Sequence, residues 1–68
     1  MAWDWEANRY LVSADGVLVE LDEVFGGTVK AYVNGGVTCF DERSLKRLIK
    51  SGELKSVTAK EFDEVCKR

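Results

Sequence analysis

The chain has 68 residues, of which 46% are hydrophobic and 32% charged, with a formal net charge of −2, no histidine and no proline. That composition excludes a disordered chain, and the length bounds it to one small domain, residues 1–68, that buries only about 60% of the surface exposed on unfolding. The missing histidine removes the commonest general base and, with only Cys39 and Cys66 as soft ligands, leaves no four-ligand zinc set without help from carboxylates.

Charge is uneven along the chain. Residues 1–40 hold six acids and two bases, a net of −4; residues 41–68 hold six acids and eight bases, a net of +2. The whole-chain charge argues against strong nonspecific nucleic-acid binding, but the C-terminal part by itself does not. The opening MAWDWEANRY lacks the charged start and apolar run of a signal peptide, and no stretch approaches 18 apolar residues. These features predict a cytoplasmic protein with reduced thiols, whose two cysteines act as small buried apolar side chains.

In chain order, Trp3 and Trp5 flank Asp4 and would share one side of an extended segment. They either cover the open end of a small core or anchor a partner, since indoles recur in binding hot spots. Arg9 to Ser13 reads as a strand, Ala14-Asp15-Gly16 as a turn, and Val17 to Leu21 as a second strand, which together make a first hairpin. Asp22 to Gly27 is expected to connect this hairpin to the next. Beside Glu20, Asp22 and Glu23, Phe25 would either fold back onto the sheet, leaving the acids solvated, or stand as an aromatic anchor on an acidic tip. It lacks the spacing of an EF-hand loop and the lysine of a phosphate-binding loop.

Thr28 to Phe40, TVKAYVNGGVTCF, is the clearest signal. Thr28 to Val33 alternates with period two, and Asn34-Gly35 suits a type I′ turn, in which both residues need positive φ. Gly36 would lengthen the loop or form a bulge, and Val37 to Phe40 returns as a strand. The inward set is expected to be Val17, Val19, Leu21, Val29, Ala31, Val33, Val37 and Cys39.

Asp41 can cap a helix running to about Ser51, with Leu45, Leu48 and Ile49 as its apolar stripe and Gly52 as a left-handed stop. Arg43, Lys46, Arg47 and Lys50 would cover its outer face, with Lys55 nearby, either as a solvated helix face or as a patch that could meet phosphates. No aromatics interleave with these bases, which weakens a stacking mode on single strands. Thr58-Ala59-Lys60-Glu61 matches a capping box and predicts a second, short helix with Ala59, Phe62, Val65 and Cys66 turned inward.

Two stretches resemble known families. Leu45 to Leu54, LKRLIKSGEL, followed by SVTAKEFDEV, resembles the recognition helix and final helix of excisionase-type winged-helix domains. In this chain the wing is nearly absent, and strands stand where the preceding helix of the DNA-binding pair would be. Tyr10 to Gly16, YLVSADG, resembles the opening of a small DNA-binding module attached to homing endonucleases. Each resemblance covers under a third of the chain, and neither carries a site residue onto it.

These features predict an α+β fold: a three- to four-stranded antiparallel sheet of two hairpins, with two C-terminal helices packed on one face. No serine has a recognisable base beside it, and neither cysteine is placed like an activated thiolate, so no catalytic residue, metal or cofactor is expected. The leading functional expectation is a non-enzymatic protein-interaction module. It would be a viral or mobile-element inhibitor, of the anti-CRISPR or anti-host kind, that docks on a larger protein or nucleoprotein complex. Trp3, Trp5, Glu20, Asp22, Glu23 and Phe25 would carry the docking. The alternative is a nucleic-acid-binding module using the helix at 41–51, with Arg43, Lys46, Arg47, Lys50 and Lys55. A third is a homo-oligomer whose small core a symmetry mate completes.

Overall fold

The computed structural model describes residues 4–67, so the expectation for Trp3 lies outside the described residues. After a 3-10 turn at Glu6–Asn8 come β1 (Tyr10–Ser13), β2 (Leu18–Phe25), β3 (Thr28–Val33) and β4 (Gly36–Asp41). Then follow α1 (Glu42–Ser51), β5 (Leu54–Val57) and α2 (Ala59–Cys66). The five strands form one antiparallel sheet in the order β4-β3-β2-β1-β5. The fold is α+β as expected, but the sheet has a fifth strand and the helices do not share a face.

Three tight turns set the register. Ala14-Asp15-Gly16 closes β1 onto β2: the Ser13 amide donates to the Val17 carbonyl (3.0 Å), and the Val17 amide donates to Ser13 Oγ (2.9 Å). Asn34 and Gly35, with φ of 50° and 88°, form the expected type I′ turn. Gly26 and Gly27, with φ of 55° and 78°, form a second one between β2 and β3.

That second turn corrects the expectation for residues 22–27. They are not a connecting tip: Asp22 to Phe25 continue β2, paired with β3 through Phe25↔Thr28. A bulge between Leu21 and Glu23 hid this, because it breaks the alternation. The extra residue, Asp22, lets both Leu21 and Val24 face the core three positions apart.

The buried core is Leu11, Val19, Leu21, Val29, Ala31, Leu45 and Leu54. Cross-strand pairing puts Leu11, Val19, Leu21, Val29 and Ala31 on one sheet face, where Leu45 of α1 covers them. Trp5, Phe40, Leu48 and Ile49 pack around this cluster. The caps of α1 are those expected: the Ser44 amide donates to Asp41 Oδ2 (3.2 Å), and Gly52 stops the helix with φ 87°.

The expectation that Val37 and Cys39 point inward is overturned. A two-residue turn fixes Gly36 opposite Val33, so Thr38 and Phe40 share the core face, opposite Ala31 and Val29. Val37 and Cys39 fall on the other face and are exposed. Ala59 and Cys66 of the second helix, expected inward, are exposed too, so neither cysteine is the buried apolar filler expected of it.

Helix α1 leaves β4 at one sheet edge and delivers β5 to the other, beside β1. Insertion of β5 turns the chain over the edge, so α2 returns on the face opposite α1. Its Phe62 meets Tyr10, a residue of that opposite face, at 5.1 Å between ring centroids. The capping box forms as expected, with the Glu61 amide donating to Thr58 Oγ1 (3.1 Å) and the Thr58 amide donating to Glu61 Oε1 (3.2 Å).

Candidate functional site: an open sheet face

Helix α2 has eight residues and lies against β1. It leaves the same face of β2, β3 and β4 uncovered. The register arranges that open face in rows. Glu20, Tyr32 and Val37 are cross-strand neighbours; Glu23, Lys30 and Cys39 form the next row; Phe25 and Thr28 lie beyond, at the turn. Phe25 is 59% exposed and Val37 61%. A cleft of about 570 Å³ runs between this face and α2, lined by Leu18, Glu20, Tyr32, Asn34, Phe62 and Cys66.

The four candidates Glu20, Asp22, Glu23 and Phe25 are thus brought together by β2. Glu20 and Glu23 share the open face, and the bulged Asp22 accepts from Lys30 Nζ at 3.5 Å across to β3. Both partners of that pair are about two-fifths exposed, so its contribution is at most about 1 kcal/mol. Lys30 is the lone base on β2, β3 and β4, so the face keeps an acidic excess. Such a surface, apolar at Phe25, Tyr32 and Val37 and acidic between them, suits contact with a protein that presents basic residues around an apolar centre.

Trp5 lies elsewhere. Its ring packs against the core on the α1 side, and the Arg9 guanidinium sits 5.1 Å from the ring centroid. The structure therefore separates Trp5 from the acidic group with which it was named.

The basic group divides as well. Arg43, Lys46, Arg47 and Lys50 are all exposed on α1. At about 100° per residue they fall within an arc of about 100°, away from Leu45 and Leu48. Lys55 does not join them: it pairs with Val12 across β1 and β5, on the sheet face opposite α1.

Tyr32, Val37 and the cleft residues Leu18 and Phe62 were not among the sequence candidates. The signal for Val37 was present in the two-residue Asn34-Gly35 turn, which decides which of Gly36 and Val37 faces inward.

Among the described residues, no group of three or more His, Cys, Asp or Glu side chains could hold a metal ion, and no helix is long and apolar enough to cross a membrane. The stretch resembling a recognition helix, Leu45 to Leu54, spans α1 from Leu45 to Ser51 and the first residue of β5, with β3 and β4 ahead of it. No family model, curated protein or solved structure matches the chain.

Proposed function

We propose that this chain is a non-enzymatic protein-interaction module that docks through the open face of β2, β3 and β4. The observation that carries this reading is the exposure of Phe25 and Val37 on one sheet face beside Glu20, Asp22 and Glu23. The partner it suits is a larger nucleic-acid-handling protein or complex with a basic, apolar-centred groove, which the acidic face would occlude. An inhibitor from a virus or mobile element, of the anti-CRISPR or anti-host kind, would act in this way in the cytoplasm.

The test is capture of partners from lysate, with and without nuclease, using the native chain, Phe25→Ala and the double reversal Asp22→Lys/Glu23→Lys. The reading expects a protein that survives nuclease and is lost with both variants. Capture unchanged by both variants contradicts it.

A second reading has its own support in the arc of Arg43, Lys46, Arg47 and Lys50 on α1, which suits phosphate contacts. It expects nucleic acid to be retained, affinity to fall steeply with salt, and loss on neutralising Lys46, Arg47 and Lys50. Salt-insensitive binding contradicts it.

A further inference from the structure

The two edges of the sheet are built differently. The β5 edge is four residues long, carries Lys55, and is approached by the 3-10 turn, where Ser56 Oγ donates to the Ala7 carbonyl at 3.4 Å. Short length, a lysine and a covering segment are the usual devices that stop an edge from pairing with another chain. The β4 edge has none of them. It is six residues long, Gly36 to Asp41, with neither lysine nor proline. All its residues but Phe40 are exposed, and Gly36 to Phe40 carry no charge.

The hydrogen-bonding parity of β4 follows from its turn. Gly36 closes the two-residue hairpin against Val33, so Gly36, Thr38 and Phe40 direct their amide groups towards β3. The Glu42 amide continues that parity, donating to the Gly27 carbonyl at 2.9 Å. Val37 and Cys39 therefore direct both N–H and C=O away from the sheet.

We infer that the β4 edge pairs with the β4 edge of a second copy of this chain, antiparallel about a two-fold axis at Thr38. Side chains opposite each other must share a face, so the axis passes through a residue rather than between two. At Thr38, Val37 of one copy exchanges two backbone hydrogen bonds with Cys39 of the other, and symmetry doubles these to four. Thr38 then faces Thr38 of the second copy, a favourable cross-strand pair. Phe40 lies over Gly36 of the second copy and fills the space its missing side chain leaves. A two-fold axis sets each residue near its own copy, so like charges repel across it. The neutral run Gly36 to Phe40 carries no such penalty, and an axis at Thr38 pairs these five residues among themselves, whereas an axis at Cys39 would pair charged Asp41 with apolar Val37. The result is a continuous ten-stranded sheet, with the open faces of both copies on the same side. This inference does not depend on the docking reading and is tested without any partner.

The experiment is sedimentation of the full chain from low to high micromolar concentration, with Val37→Pro and Cys39→Lys as variants. Val37→Pro removes an outward donor, and Cys39→Lys places one lysine of each copy at the interface, diagonal to each other and each beside Lys30 of its own chain; neither removes a hydrogen bond of the β3 ladder. A separate chain, Thr38→Cys/Cys39→Ser/Cys66→Ser, is oxidised mildly and run without reductant. At non-hydrogen-bonded positions such as Thr38 the Cα atoms of a pair stand about 4.5 Å apart, within disulfide reach. The expected result is a dimer, a shift to monomer in Cys39→Lys with unfolding cooperativity retained, and a covalent dimer from the position-38 cysteine. A native chain that stays monomeric throughout overturns the inference. So does a dimer that both variants leave intact, and so does cross-linking through Cys39 in a Cys66→Ser chain but not through position 38.

Discussion

Phe62 of α2 and Tyr10 of β1 meet with ring centroids 5.1 Å apart and planes inclined by 49°. This tilted pair fastens the second helix to the face that α1 does not cover, so it decides how much of that face stays open. Phe62→Ala removes a half-buried ring and its partner contact, and a loss of about 1–3 kcal/mol is expected. Urea unfolding followed by tryptophan fluorescence measures it. A loss far above that range would mean that α2 shares the main core, contrary to its placement.

The start of α2 rests on its capping box. Thr58→Ala is expected to cost about 1 kcal/mol, because the Glu61 amide loses its acceptor. Thr58→Ser should keep most of it. Comparing the two midpoints of denaturation separates loss of the cap from loss of the methyl group.

Gly27 and Gly36 make opposite predictions. Gly27 has φ 78° and nothing within 4 Å of an added Cβ, so Gly27→Ala meets conformational strain alone, about 1–2 kcal/mol. Gly36 has no positive φ, and its added Cβ would lie 3.6 Å from the Val33 carbonyl oxygen, an ordinary contact. In the monomer, at low protein concentration, Gly36→Ala should therefore hold stability or raise it by up to about 1 kcal/mol through the unfolded chain. Thermal denaturation of the two variants side by side tests the assignment of the turns.

Much of this architecture was legible in the residues. Asp41, Gly52 and the Thr58/Glu61 pair mark the helix boundaries because capping chemistry is local. The period-two run in β3 and the Asn34-Gly35 turn are local as well. What was obscured depends on long-range pairing. The bulge at Asp22 broke the alternation of β2 and made strand residues look like a loop. Leu54 to Val57 is a four-residue segment between two helices, too short to declare itself until β1 offers an edge. Missing β5 also removed the turn that carries α2 to the opposite face. For the candidate site, Glu20, Asp22, Glu23 and Phe25 were named from the sequence, but their shared face with Tyr32 and Val37 emerges only once the register is known.

Stability and docking should separate at the open face. Phe25→Ala removes a ring that is 59% exposed, and Glu23 is an exposed strand residue. Phe25→Ala and Glu23→Lys are each expected to change unfolding free energy by less than about 1 kcal/mol while weakening partner capture at least tenfold. Paired denaturation and capture measurements check this, and a parallel fall in both would reduce the effect to misfolding.

The most direct test of the docking face is site-specific photo-cross-linking. A photoreactive phenylalanine analogue replaces Phe25 in one chain and Arg47 in another, and each is irradiated in nuclease-treated lysate. The account predicts a covalent adduct to a protein from position 25 and none from position 47. Adducts from position 47 alone would contradict it and move the binding surface to the basic arc of α1.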